Sequence, residues 1–147
     1  MAQGVECYRG VVHPWMCDFM GHMTTRHYTA MFDDASYHML AALGFTPEHL
    51  KNGTGFADVK LTTSFKSELH SGELVVVHGE VAGIGNKSLS VDYRMTQLHT
   101  GTVAAEMESV TVQFDLKARR AIALVPEIRA AAEARLKSRQ AVSRTAF

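Results

Sequence analysis

Residues 15–44 read WMCDFMGHMTTRHYTAMFDDASYHMLAALG and fall into two parts of different character. From His27 to Leu43 the apolar side chains Tyr28, Met31, Phe32, Ala35, Met39, Ala42 and Leu43 recur with the period of one helix face. Gly44 supplies a C-terminal stop, and Thr24 or Thr25 is available as the N-cap. The spacing predicts one long internal helix. The segment before it follows neither a period of two nor of 3.6 and carries a single glycine in its middle. It is expected to be an ordered loop rich in chemical side chains.

Upstream, Glu6 to His13 has strand character and ends at Pro14, which cannot donate to a ladder. Downstream of KNGTG the chain alternates, with Val59, Leu61, Phe65 and Leu69 on one face and Asp58, Lys60, Ser64 and Lys66 on the other. His70-Ser71-Gly72-Glu73 turns into Leu74–Ile84, a strand with valines at 75, 76, 77 and 81 and hence apolar on both faces. Gly85-Asn86-Lys87 turns again into Ser88–His99, and Thr100-Gly101 leads into the last long strand. There the inward set is expected to run Val103, Ala105, Met107 and then to change phase to Val110, Val112, Phe114 through a bulge near Glu108 or Ser109. Pro126 opens a short terminal helix, and the last ten or so residues are expected to fray.

Strand, long helix, a meander of four strands and a terminal helix make an α+β protein, not a doubly wound parallel sheet. A chain of 147 residues fits one domain spanning 1–147. A curved antiparallel sheet wrapped around the helix leaves valines on its outer face, which predicts a homodimer or homotetramer. Fifteen Lys plus Arg balance fifteen Asp plus Glu, so no global positive field exists to attract nucleic acid or an anionic membrane. No apolar run reaches the roughly 20 residues of a membrane span, and MAQGVECYRG lacks a signal-peptide layout, so a cytoplasmic location is expected. Cys7 and Cys17 are too few for a disulfide framework and are read as reduced thiols, Cys7 in the core.

Chemistry concentrates between Asp18 and Tyr28. A helix start presents unpaired N–H groups and the positive end of a dipole, suited to a developing oxyanion, and the amide of Thr25 or its neighbour would supply the donor. Gly21 permits a positive φ and close approach of a substrate, while Asp18 would act as general base on water or attack a carbonyl itself. The same spacing also fits an Asx turn at Asp18 followed by a threonine cap, with no catalysis. His22 and His27 lie near Asp18, yet no histidine or cysteine set has metal-ligand spacing, so no metal and no cofactor are expected. GIGNKS lacks the spacing of a nucleotide loop, and no GxSxG elbow occurs.

The run from His13 to Ala42, with its DFMGHM loop, Tyr28 and the helix phrase MFDDA, resembles the hotdog-fold acyl-CoA thioesterases of the 4-hydroxybenzoyl-CoA thioesterase family. The likeness extends to Gly85-Asn86-Lys87-Ser88 and to Arg119-Arg120 ahead of Pro126, from residue 8 to residue 136. It implies a sheet wrapped around the helix, active sites at a dimer interface, Asp18 as the catalytic carboxylate and the Thr25 amide facing the thioester oxygen. The family commonly has Asn or a similar small polar residue where this chain has Thr24-Thr25, and often a small residue or proline at Phe19.

By the same resemblance His22, following the glycine, is a polar partner for the carboxylate or for water, with a structural role as the alternative. Trp15, Phe19, Met23 and Tyr28, with Met16, Met20 and Tyr37 nearby, are candidates to line an acyl pocket. Lys87, Ser88, Arg119 and Arg120 are candidates for the phosphates of coenzyme A, which enters as part of the substrate. Trp15 with Asp33 or Asp34 would suit a cationic acyl group, and the loop and helix phrase are similar to thioesterases associated with carnitine breakdown, which implies a betainyl-CoA-type substrate. Two alternatives stand beside hydrolysis: a hotdog-fold enoyl-CoA hydratase and a non-catalytic acyl-CoA-binding module.

Overall fold

The computed structural model describes residues 4–136. Strand β1 (Val5–Val11) runs into a single 3₁₀ turn, Pro14–Met16, and a short loop leads to helix α1 (Thr25–Ala42). A one-turn helix α2 (Pro47–Lys51) precedes β2 (Thr54–Phe65), β3 (Leu74–Ile84), β4 (Ser88–Gln97) and β5 (Val103–Asp115). A two-residue strand β6 (Arg120–Ala121) and helix α3 (Pro126–Ala134) complete the order. The expected fraying of the last ten residues lies outside the described residues.

The long strands form one antiparallel sheet in the order β1-β3-β4-β5-β2, with β6 on β5. Helix α1 packs against β1 and β3 and buries Tyr28, Met31, Phe32, Ala35 and Met39, the face its periodicity predicted. Each such side chain contributes about 1.5–3 kcal/mol relative to exposure, far more than the propensity of the helix itself. Gly44 ends the helix at φ +95°, a conformation that favours glycine. Ile128 and Ala132 of α3 are fully buried in the same core. This is the expected α+β hotdog arrangement. Among the described residues no helix is long and apolar enough to cross a membrane.

Two expectations about strand faces are corrected. In β5 no bulge occurs near Glu108 or Ser109; Ala105, Met107, Ser109, Thr111 and Gln113 form one buried row. The polar members stay inside because each finds a carbonyl. Ser109 Oγ donates to Val91 O (3.2 Å), Thr111 Oγ1 to Ala57 O (3.1 Å) and Gln113 Nε2 to Gly55 O (2.7 Å). β5 has its extra residue earlier, at Ala104 opposite Met95 and Thr96, and β2 is shifted between Asp58 and Lys60, where Val59 is the extra residue. It reverses the alternation, so Asp58 shares the helix-facing side with Leu61 and Phe65 rather than opposing them. Leu69 falls beyond the strand and is buried, whereas Val59, Leu61 and Phe65 are 60%, 46% and 49% exposed. They are exposed because β2 is an edge strand that α1, seated over β1 and β3, leaves uncovered.

Gln113 is fully buried, and its Oε1 also accepts the Val125 N–H at 3.3 Å, tying the approach to α3 onto β5. Gln113→Leu keeps the volume but strands the Gly55 carbonyl and the Val125 N–H. The expected loss is about 2–5 kcal/mol of unfolding free energy in urea denaturation, against under about 1 kcal/mol for an exposed substitution such as Thr62→Ser.

Candidate active site

The loop before α1 is a tight hairpin. Thr24 N–H donates to Met16 O (3.0 Å), Cys17 bridges Met23, and Asp18 N–H donates to His22 O (3.0 Å). Gly21 N–H closes the turn onto Asp18 O (2.9 Å) at φ +86°. Glycine is required there by backbone conformation, since a Cβ would meet nothing within 4 Å.

The Asp18 carboxylate uses one oxygen locally. Oδ1 accepts the Met20 N–H at 2.8 Å, with the His22 N–H at 3.5 Å, which is the Asx turn that spacing allowed. Oδ2 has no partner among the described residues. At the other end of the hairpin Thr24 has the extended backbone of an N-cap, but its side chain makes no capping bond and its buried Oγ1 is without a partner. His27 N–H turns back to Thr24 O (3.0 Å), and the N–H groups of Thr25 and Arg26 are left unpaired among the described residues. No acidic residue occupies the first turn to neutralise the dipole. A half-free carboxylate therefore stands on the hairpin that leads into an uncapped helix N-terminus.

This assembly is tied to the β2–β3 connection. Met23 N–H donates to Leu69 O (2.8 Å), His22 bridges His70, and the Tyr28 hydroxyl donates to Ser67 O (3.1 Å). Tyr28 and Met23, candidates for the acyl pocket, lie in the core at 4% and 5% exposure. His22 turns its ring to Glu68 (Nε2–Oε2 3.1 Å) and edge-on to His70, and meets Asp18 only through its backbone. Phe19 stands at the hairpin tip, 99% exposed. Trp15, also exposed, stacks on His13 (5.7 Å between centroids) and lies nearly perpendicular to the ring of His27 (5.5 Å).

Along the uncovered side of α1 run two adjoining cavities of about 320 and 260 Å³ that share Asp33, Ser36, Asp58 and Ser109. Arg26 lines one and Tyr37 the other. Asp33 lines both cavities and Asp34 neither, and the Asp34 charge acts on Tyr8 of β1 as well as on Asp33. Burial, together with the charges of Asp58 and Asp34, holds the Asp33 carboxyl above its ordinary range. Asp58, Ser109 and Thr111 were not anticipated as groove residues. The signal for Ser109 and Thr111 was an alternation in β5 that continued past Met107 with polar side chains, whereas Asp58 reaches the groove through the bulge at Val59.

The basic residues lie elsewhere. Lys87 closes the β3–β4 turn and Ser88 opens β4, while Arg119 closes the β5–β6 turn and Arg120 opens β6, all at the end of the sheet where Ser88 pairs Val112 and Arg120 pairs Asp115. The Asp18 hairpin follows β1 at the opposite end, where Val11 pairs Leu74. Arg119 adopts φ +59°, with its guanidinium 5.1 Å from the centre of the Phe114 ring. Within one chain the carboxylate and this basic group are not brought together.

Comparison with curated proteins finds no significant match. Among solved structures, a hypothetical protein from Staphylococcus aureus in complex with CoA superposes with TM-score 0.82 at 18% identity, covering 92% of this chain and 88% of that one. A 1,4-dihydroxy-2-naphthoyl-CoA thioesterase from Synechocystis gives 0.75 at 17%, covering 85% and 93%. A gentisyl-coenzyme A thioesterase gives 0.75 at 24%, covering 85% and 98%. At these identities the likeness establishes a shared fold. The model of the Thioesterase-like superfamily matches residues 12–132. With that match across most of the chain, the protein belongs to the Thioesterase-like superfamily and is a thioester hydrolase.

Proposed function

We propose that the protein hydrolyses an acyl-CoA thioester to a free acid and CoA, with Asp18 as general base or nucleophile and the Thr25 backbone N–H as oxyanion donor. The observation that carries this reading is the pairing of an unengaged Asp18 oxygen with an uncapped helix start on one hairpin. In the general-base form, Asp18 takes a proton from water as its oxygen attacks the thioester carbon. The Thr25 N–H stabilises the oxyanion, and the C–S bond breaks to release a thiolate that is then protonated. In the nucleophilic form, Asp18 displaces the thiolate and water resolves the anhydride. A positioned donor contributes about 3–4 kcal/mol and a positioned base about 10² to 10⁴ in rate, and a thiolate leaves without much acid help. No cofactor enters either route.

Lys87, Ser88, Arg119 and Arg120 contribute to CoA binding, on this reading, in a homodimer. Antiparallel pairing of two β2 edges about a two-fold axis reverses the ends of the sheet and carries these residues of a second copy toward the first copy's Asp18 hairpin. The exposed Val59, Leu61 and Phe65 on that edge support such a pairing. The acyl group would lie in the groove beneath α1. Its Asp33 and Asp58 carboxylates, with Tyr37, suit a small cationic acyl group of the betainyl-CoA type, within a chemistry akin to that of the 4-hydroxybenzoyl-CoA thioesterases.

Asp18→Asn is expected to lower thiol release about 10² to 10⁴-fold across a panel of acyl-CoA esters with an unchanged thermal melt. Unchanged turnover in the folded variant removes Asp18 from the mechanism. Hydration of an enoyl-CoA without thiol release would identify a hydratase instead, and tight ester binding without either reaction a binding module. Asp33 gives a separate test. Its raised pKa means that stability is full below the ordinary carboxylate value and declines as pH rises through the folded-state value. Asp33→Asn should therefore raise Tm at about pH 7.5 and lose that advantage at about pH 3. The same variant should raise KM for betainyl-CoA more than for acetyl-CoA.

A further inference from the structure

His22, Glu68 and His70 come from two segments distant in sequence, and here they meet beside the Asp18 hairpin. One ring nitrogen of each histidine and one carboxylate oxygen of Glu68 lie within 4.8 Å of one another. The backbone already fixes this meeting, because His22 bridges His70 and the next residues are joined by the Met23 N–H to Leu69 O bond at 2.8 Å. His22 Nε2 faces Glu68 Oε2 at 3.1 Å, a contact in which a metal ion can take the place of the hydrogen.

The surroundings of His70 add an independent feature. Its Nδ1 lies 2.9 Å from Glu73 Oε1, its backbone N–H bonds to that same oxygen, and Gln97 Nε2 holds Glu73 Oε2 at 3.0 Å. A carboxylate on Nδ1, itself fixed from behind, selects the tautomer whose Nε2 lone pair is free and fixes the ring plane. That is the arrangement that supports imidazole ligands in metal sites. All three side chains are partly or largely exposed, so they can close to the donor separations of about 3.3–3.6 Å set by tetrahedral bonds of 2.0–2.2 Å.

We infer that His22, Glu68 and His70 form a binding site for a divalent ion of the zinc class, with Glu73 as the outer support of His70. Two imidazoles and one carboxylate match zinc in donor softness and leave a fourth position for water. Spacing within one segment could not reveal the site, because the hairpin supplies one ligand and the β2–β3 connection the other two. The ion clamps the hairpin that carries Asp18 to that connection, so its loading bears on the activity proposed above, while the binding itself does not depend on it.

The test uses the full chain stripped with a chelator, titrated with zinc by calorimetry and followed by thermal melting, with thiol release measured separately on the stripped and on the zinc-reloaded protein. Expected are one zinc per chain and a Tm rise of about 9 °C when zinc exceeds its Kd a hundredfold. Both effects should be lost in His70→Ala and Glu68→Gln, and the affinity reduced about 10 to 100-fold in Glu73→Gln. Magnesium should give no comparable rise, since it prefers oxygen ligands. Zinc binding that persists in a folded Glu68→Gln or His70→Ala protein, a wild-type response no larger than theirs, or an equal response to magnesium overturns the assignment. Absence of thiol release from both the stripped and the zinc-reloaded protein would count against the proposed hydrolysis and leave the metal titration standing.

Discussion

The hydrogen bond from Met23 N–H to Leu69 O does more than any other single contact to set up the site. It is made by the last residue of the Asp18 hairpin before the helix cap, and it joins that hairpin to the connection between β2 and β3. Both partners are nearly fully buried, so the bond is shielded from water and costly to leave unmade. With it fixed, Tyr28 reaches Ser67, α1 starts in one place, and its apolar face meets β1 and β3 in register. The direction of the helix N-terminus, and with it the unpaired amides, follows from this one tie.

How much of this could be read from the chain depended on how locally each feature is encoded. The helix was legible because Tyr28, Met31, Phe32, Ala35 and Met39 must all face one core, and a repeat of that kind has a single geometric solution. The turns at 70–73 and 85–87 were legible from glycine and small polar residues. The faces of β2 and β5 were not. Ser109, Thr111 and Gln113 look outward by polarity and lie inward because carbonyls of neighbouring strands accept their hydrogens, which is a tertiary fact. The same holds for Val59, whose bulge delivers Asp58 to the groove.

The candidate site divides along the same line. Asp18, Gly21 and the start of the helix lie within a few residues, so their association could be seen in the sequence, as could the acidic pair at 33 and 34. The place of Asp33 in the groove with Asp58, the commitment of Tyr28 to Ser67, and the turning of His22 toward Glu68 all depend on residues far along the chain. The Asx turn and the catalytic reading, opposed as alternatives at the level of spacing, are compatible in three dimensions. The turn occupies one oxygen of Asp18 and leaves the other without a partner among the described residues.

Arg119 has an implication of its own. A residue with a Cβ at φ +59° sits in a region where glycine would be relaxed and arginine costs about 1 kcal/mol or more. The hairpin from β5 to β6 tolerates that penalty while the guanidinium rests over the Phe114 ring. Swapping in glycine would ease the main chain and delete the cation, so local backbone comfort and local charge pull in opposite directions at this one corner. Sequences chosen for thermal robustness alone would drift toward the uncharged solution there.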